Sequence, residues 1–471
     1  MVKFRNIIFI LILHLLISFF PIFFSNKFLT SYTFWNYLFQ LFFFFIYIYL
    51  SDNRIVFLMS PSIIAYLYLN INFLLGSYGF THNFYTLPKQ LILNETIKNW
   101  QFYNIRLIYF NLFNIILIIS YYTAYFFKIK TINFFKILFN KINYSKSFIV
   151  AFFVIFLFLL LHGFINKTNH FILLKGYSFI PVFLLSTYVI VHISYRRMKW
   201  RYIFYILLLI SIASFSYNSK REAISLLIPI LILELNLYKY NLKLSFKTFS
   251  IILVLFLIIG WLVIGMSILR GYGNYKAKNI FIALKYTKDY LSRKESYSYL
   301  MNNFEIISTY VHSNNSIEMI CKNPNKLTYG STLLKPVFLF IPRSIWKSKP
   351  NSIIDKYTTE YDPEFRSKGG SYPISIQSEL FWNFHFGGLL IGFFIMIILN
   401  SFYYSLIKKI GDISIYYAVF SIFIYSMFFF LIRGSGFDLF FAQLFIAFIF
   451  SFFIYFLFYF INFFKYEKTN Y

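Results

Sequence analysis

Long apolar runs follow one another along most of the chain, separated by short polar segments. Within each run the apolar residues are near-continuous rather than alternating, and the runs have about the length that an α-helix needs to cross a lipid bilayer. A helix also satisfies its own backbone hydrogen bonds in lipid. The pattern predicts an all-α fold, a polytopic transmembrane helical bundle of about 12 spans. We place these spans at residues 7–24, 34–50, 55–75, 105–127, 148–165, 177–195, 202–217, 223–238, 248–269, 380–407, 413–432 and 439–464.

One polar stretch, residues 270–379, interrupts this pattern. It divides the chain into a first transmembrane region at 1–269 with about nine spans, the large loop itself at 270–379, and a second transmembrane region at 380–471 with about three spans and a short tail. Helical periodicity at 279–291 and 299–322 predicts that the loop is partly helical. We expect function to reside in this loop, because a spacer has no need of its dense polar cluster at 341–350.

The lysines and arginines predict the orientation of the spans. With both termini in the cytoplasm, the cytoplasmic segments hold 19 of the 44 Lys and Arg residues and the short loops opposite hold 9. Cytoplasmic loops carry an excess of these residues, whereas long loops cross the membrane largely regardless of charge. The large loop is therefore predicted to be extracytoplasmic. Spans seven and eight are short and either cross the membrane or form half-helices, an alternative that leaves the later orientation unchanged.

Composition agrees with a membrane protein and excludes several other classes. Apolar residues make up 59% of the chain, charged residues 13%, and the mean hydropathy is +0.65. The net charge of +28 follows from the basic loops, and no nucleic-acid module accompanies it, so no nucleic acid is expected as a partner. A single cysteine excludes a disulfide within the chain, and no metal-spaced cluster or nucleotide loop is present. We expect no metal and no cofactor.

Four arginines at span ends fall on the predicted outer face. Three of them adjoin glycine or proline, which permit tight turns at a membrane surface. Arginine captures phosphate oxygens with two parallel hydrogen bonds, so several on one rim would form a site for a diphosphate. Singly, each is equally well explained as a side chain that marks the end of a span. The four residues are Arg221, Arg270, Arg343 and Arg433.

Four stretches of the chain form the most specific local signature. They are Tyr329-Gly330-Ser331-Thr332, the Pro-Arg-x-x-Trp-x-x-Lys-Pro run at 342–350, Ser-Tyr-Pro-Ile-Ser-Ile-Gln-Ser-Glu-Leu at 371–380, and Asn-Phe-His-Phe-Gly-Gly at 383–388. In this order they resemble the O-antigen polymerase family, the oligosaccharide repeat-unit polymerases. Lys-Arg-Glu at 220–222, Leu-Arg-Gly at 269–271 and Arg-Gly at 433–434 are also similar to that family. The resemblance covers mainly residues 215–440, and His385 departs from the expected Asn-Phe-Gly.

The resemblance implies a fold similar to GT-C-type membrane glycosyltransferases and an enzyme in the cell (inner) membrane. Such an enzyme polymerises undecaprenyl-diphosphate-linked oligosaccharide repeat units on the outer face, transferring the growing glycan to the non-reducing end of a new lipid-linked unit. It uses neither a nucleotide sugar nor a catalytic metal. The implied partners are the undecaprenyl-diphosphate-linked oligosaccharide, membrane lipids and a chain-length regulator.

This chemistry requires a general base for the acceptor hydroxyl and cations for the departing diphosphate. Glu379 is the first choice as base, with His312 and His385 as alternatives because imidazole titrates near neutral pH. The four arginines would bind the diphosphate, supplemented by Lys347 and Lys349. Tyr372 and Trp346 are predicted to contact sugar rings, although membrane anchoring explains Trp346 as well.

Two other functions remain open at this point. A lipid-linked oligosaccharide flippase or other transporter also has about twelve spans, but its charges should line a path within the membrane and its loops should be short. An O-antigen ligase shares the polymerase architecture and transfers finished glycan to lipid A.

Overall fold

The computed structural model of the protein describes residues 2–24, 26–81, 101–126, 147–167, 177–195, 199–215, 220–237, 246–269, 277–293, 306–334, 351–409 and 415–468, together with residues 338, 341, 345 and 346. Every regular element in these ranges is a helix, and no strand occurs among them. The predicted all-α fold is confirmed.

Helices occupy the apolar runs that precede the large loop. Those of the first region are α1 (Val2–Ser18), α2 (Asn26–Leu50), α3 (Arg54–Leu58), α4 (Pro61–Thr81), α5 (Tyr103–Phe126), α6 (Ser147–Lys167), α7 (Phe179–Tyr195), α8 (Arg201–Phe215), α9 (Lys220–Leu237) and α10 (Phe246–Leu269). A short 3₁₀ turn, Phe20–Phe23, follows α1 and contains Pro21.

Short helices follow within the loop, and long ones return after it. They are α11 (Ile280–Lys285), α12 (Thr287–Ser292), α13 (Ile306–Lys322), α14 (Ser331–Leu334), α15 (Ile353–Tyr361), α16 (Pro363–Ser367), α17 (Ile376–Phe384), α18 (Gly388–Lys409), α19 (Ile415–Arg433) and α20 (Phe437–Lys468). Helices α11, α12 and α13 lie where the loop sequence predicts amphipathic helices. Asn279 begins the first of these, since its side chain accepts a hydrogen bond from the backbone N–H of Ile282 at 2.9 Å.

Five of the described helical segments are long and apolar enough to cross a membrane. They are Phe4–Phe23, Tyr32–Leu50, Tyr103–Phe126, Ile376–Tyr404 and Phe437–Phe456. Shorter apolar helices occupy several of the remaining runs, among them Phe179–Ile193 and Ala418–Arg433. These segments support a membrane protein, while the count of twelve spans and the three-part division of the chain stay predictions.

The chain forms two compact units. Unit 1 comprises Met1–Thr131, Leu300–Tyr404 and Phe428–Ala442, and unit 2 comprises Ile132–Tyr299, Ser405–Met427 and Gln443–Tyr471. Unit 1 therefore combines the first four long helices with most of the large loop and with the turn between α19 and α20.

A buried network of neutral polar side chains joins α1, α2, α4 and α5 within unit 1. His14 Nε2 lies 2.7 Å from Gln40 Oε1, and Gln40 Nε2 donates to Asn111 Oδ1 at 3.1 Å. Asn70 and Asn114 exchange a pair of amide hydrogen bonds at 3.1 and 3.2 Å. Hydrogen bonds between helices in a membrane contribute about 0.6 kcal/mol each, and they fix helix positions because an unpaired amide in hydrocarbon is costly.

The loop helix α13 belongs to the core of unit 1. It packs along α4 and against α17, and even its polar residues, including His312, Ser313 and Glu318, are buried. Ile317 and Ile320 on this helix join Tyr357 and Trp382 in an apolar cluster. The part of the large loop that belongs to unit 1 is thus held by its own hydrophobic core as well as by the long helices.

In unit 2 a buried ion pair joins the start of α8 to the end of α9. Arg201 approaches both oxygens of Glu234, at 2.8 Å from Nε and 3.2 Å from an Nη atom, and the Tyr205 hydroxyl donates to the same carboxylate at 3.0 Å. The charge of the buried Glu234 carboxylate is therefore balanced by Arg201, and a buried carboxylate needs such a partner. Its geometry is that of a structural pair.

Candidate functional site

Helix α17 carries Glu379, the residue predicted to act as general base. Its side chain has 0% exposure, and Oε2 accepts a hydrogen bond of 3.0 Å from the backbone N–H of Phe437. Phe437 is the first residue of α20, and the first N–H groups of a helix have no partner within it. The helix dipole also favours negative charge at this end. Glu379 therefore caps α20 and ties the end of the large loop to the last helix.

The turn between α19 and α20 packs directly on the segment that leads into α17. Arg433 ends α19, and Gly434 and Gly436 follow with φ values of +102° and +86°. A Cβ atom on Gly434 would lie 2.7–2.9 Å from backbone atoms of Ile374. Only glycine fits such a close approach in the left-handed region. Arg433, which is partly exposed, and Glu379 accordingly lie on two segments in backbone contact.

Another pair of motif stretches meets at the end of α17. The side-chain oxygen of Asn383 accepts hydrogen bonds from the hydroxyls of Thr328 and Thr332 at 2.8 and 2.9 Å. Gly330 has a φ of +80°, and a Cβ atom there would come within 2.8 Å of the Phe384 ring. The Tyr-Gly-Ser-Thr stretch and the Asn-Phe stretch, separate in sequence, thus form one folded contact.

His312 lies on α13 within a cluster of aromatic rings. Its Nδ1 atom is 2.8 Å from the hydroxyl of Tyr357, and its ring stacks on that of Tyr372 with centroids 4.0 Å apart. Tyr372 donates to Asp362 Oδ2 at 2.7 Å. Burial, reinforced by this hydrogen bond and the nearby carboxylate, raises the pKa of the Tyr372 phenol above its ordinary value. His312, predicted as an alternative base, and Tyr372, predicted to contact a sugar ring, therefore belong to one packed cluster.

Helices α13 and α17 are joined beside this cluster. The Ser313 hydroxyl oxygen accepts hydrogen bonds from the backbone N–H and the side-chain hydroxyl of Ser375, at 2.9 and 2.6 Å. Because Ser313 follows His312 and Ser375 immediately precedes α17, the contact places the predicted histidine and Glu379 on adjoining elements.

His385 occupies an unusual backbone conformation directly after α17. Its φ of +53° and ψ of −134° lie in a region that glycine adopts and side chains disfavour. The ring is partly exposed and lies against Phe381, with centroids 4.4 Å apart. Glycine would adopt this backbone conformation without steric cost.

The remaining predicted residues are described in part or not at all. Trp346 lies edge-on to Phe338, with ring centroids 4.9 Å apart. Arg221 is the second residue of α9, and its side chain lies outside the described part of the structure. Four more predicted residues fall wholly outside the described ranges: Arg270, Arg343, Lys347 and Lys349. Convergence of the four arginines on one site therefore stays a prediction.

Glu318 is a buried carboxylate to which the sequence assigns no role. It accepts hydrogen bonds from the backbone N–H groups of Gln101 and Phe102, at 2.7 and 3.1 Å, just before α5 begins. Arg106 and Lys322 approach it to 3.8 and 3.3 Å. It therefore anchors α13 to the N-terminal end of α5. An acidic residue inside an amphipathic helix of a basic loop is the only sequence signal of this contact.

The arrangement combines a buried carboxylate with an arginine on a contacting turn. The carboxylate can accept a proton, and the guanidinium can bind a phosphate oxygen. Among the residues that the structure describes, no group of three or more His, Cys, Asp or Glu side chains is placed to hold a metal ion.

Comparison with known proteins adds no relative. No family model matches the chain, and no curated protein and no solved structure matches it.

Proposed function

We propose that the protein is a membrane glycosyltransferase that polymerises oligosaccharide repeat units carried on undecaprenyl diphosphate, on the outer face of the cytoplasmic membrane. About twelve spans, cytoplasmic termini, a GT-C-like architecture and an extracytoplasmic loop at 270–379 are parts of this proposal. A chain-length regulator is the proposed protein partner.

One observation carries the proposal. Within unit 1, the motif stretch around Gly330 contacts the stretch around Asn383, and the turn at Gly434 contacts Ile374, although the partners in each pair are far apart in sequence. Glu379 also links the second pair through its hydrogen bond to α20. Glu379 and Arg433, two of the residues proposed to act in catalysis, therefore lie on segments that contact each other.

In the proposed reaction, an acceptor hydroxyl oxygen at the non-reducing end of a fresh unit attacks the anomeric carbon of the growing glycan. The bond between that carbon and the diphosphate oxygen breaks, and undecaprenyl diphosphate leaves with the electron pair. Glu379 takes the hydroxyl proton. Arg433, with the other three arginines, Lys347 and Lys349, stabilises the negative charge that develops on the leaving group.

The test is complementation of a strain that lacks the gene, with glycan ladders resolved on gels. Wild-type protein should restore the full ladder, while Arg343→Ala should leave single capped units. Arg366→Ala is the matched control, because this loop arginine pairs with Asp355 at 2.6 Å and should keep the ladder.

Other patterns in the deletion strain would overturn the proposal. If the lipid A core in that strain carries no oligosaccharide repeat unit at all, the protein would be a ligase. Lipid-linked units that accumulate on the cytoplasmic side would indicate a flippase.

A further inference from the structure

Helix α17 carries a second buried polar side chain, Gln377, at 1% exposure. Both its Oε1 and its Nε2 atom lack a hydrogen-bond partner within the described ranges. The other polar side chains of this run are paired: Ser375 bonds Ser313, Ser378 lies 3.3 Å from the Ser375 hydroxyl, and Glu379 caps α20. Among the polar side chains described at 375–379, Gln377 is thus the one for which no polar atom has a hydrogen-bond partner.

Leaving a buried amide unpaired is unfavourable, because the group gives up its hydrogen bonds to water and gains none in return. Most buried polar groups in folded proteins are paired, so such a group requires an explanation. The same chain pairs the buried amide of Gln40 through both of its polar atoms. A ligand that supplies both a donor and an acceptor would form the hydrogen bonds that the two polar atoms of Gln377 lack.

A second unpaired group lies on the neighbouring helix. The hydroxyl of Thr309 on α13 is buried and lacks a hydrogen-bond partner in the described part of the chain. Thr309 precedes Ser313 by one helical turn, so the two share a face of α13. Ser313 bonds Ser375, two residues before Gln377. Each of the two helices that this contact joins thus carries a buried polar group without a partner in the described ranges.

We infer that Gln377, together with Thr309, hydrogen-bonds sugar hydroxyl groups of the lipid-linked oligosaccharide. A primary amide presents a donor and an acceptor side by side, which suits adjacent hydroxyls that each donate and accept. The identity of this ligand rests on the proposed function. Gln377 would thereby hold a sugar of the repeat unit beside the segment that carries Glu379.

The experiment uses the full-length protein in detergent and lipid-linked repeat units extracted from cells that lack the gene. Binding is measured as the rise in melting temperature with increasing concentration of these units, and elongation is followed on gels. The variants are Gln377→Met and Thr309→Val. Thr187→Val is the control, because Thr187 in unit 2 also has a buried hydroxyl without a partner in the described ranges.

We expect Gln377→Met to keep or raise the melting temperature without ligand, since an apolar side chain of similar shape removes the unmet hydrogen bonds. It should weaken binding of the repeat units about tenfold, which corresponds to the loss of one or two hydrogen bonds to ligand. Thr309→Val should weaken binding by a smaller factor. Thr187→Val should leave binding unchanged.

Three results would overturn the inference: wild-type affinity in Gln377→Met, a lower melting temperature of that variant without ligand, or weakened binding in Thr187→Val. Failure of the proposed function gives a different result. Wild-type protein would then bind the units without elongating them, and the assignment of Gln377 would stand.

Discussion

The Glu379 carboxylate accepts a hydrogen bond from the first N–H of α20, and the proposed mechanism also requires it to accept a proton. A substitution can separate these two properties. Glutamine keeps an oxygen that accepts the N–H, but it cannot act as a base. Alanine removes both.

We expect Glu379→Gln to fold with a loss of about 0.3–1 kcal/mol, the interaction of the charge with the helix dipole, and to form no polymer. Glu379→Ala should lose about 1–3 kcal/mol, because it leaves the buried N–H unpaired. Melting temperatures in detergent and glycan ladders measure the two effects. A full ladder from Glu379→Gln would show that Glu379 caps α20 and is not the general base.

His385 poses the converse question, because its backbone is strained while its ring packs against Phe381 and Phe386. His385→Gly should raise stability by about 1 kcal/mol, since glycine adopts the observed φ without steric cost. His385→Ala keeps the strain and should bring no such gain. Thermal unfolding of both variants tests this prediction.

The same His385→Gly variant tests the alternative base. A complete ladder is expected, because Glu379 is the proposed base. Loss of polymer in a variant that is more stable than wild type would transfer the catalytic role to the imidazole.

At the scale of elements, the sequence predicts helices well and their contacts poorly. Continuous apolar runs must form helices in lipid, and amphipathic periodicity correctly indicates α11 to α13. The hydrogen bond between Glu379 and Phe437 joins residues 58 positions apart, and no local pattern encodes it. The burial of Tyr372 under His312 has the same cause, because two separate segments create it together.

The contact between the α19–α20 turn and Ile374 can be tested with a pair of glycines. Gly434 and Gly369 both have positive φ, but a Cβ atom on Gly434 would meet backbone, whereas Gly369 has open space around it. Gly369→Ala should cost about 1 kcal/mol from strain alone. Gly434→Ala should cost more and should also displace Arg433 from the segment before α17. Equal losses in melting temperature would contradict this contact.

At the scale of the whole molecule, the orientation of the loop is the central prediction. Lys368 lies on the large loop and Lys199 in a predicted cytoplasmic segment, and both are exposed. In a background with Cys321→Ser, Lys368→Cys should react with a membrane-impermeant maleimide in intact cells. Lys199→Cys should react only after the membrane is opened. If Lys199→Cys reacts in intact cells and Lys368→Cys does not, the loop faces the cytoplasm and an outward-facing site is excluded.

The amide network of unit 1 has a consequence for the order of assembly. Its members, from His14 to Asn114, all belong to α1, α2, α4 and α5. We expect these four helices to associate in the membrane while the ribosome is still making the rest of the chain, because N-terminal parts of a protein generally fold first during synthesis. When α13 is synthesised later, it packs on α4, which is already held in position by this network.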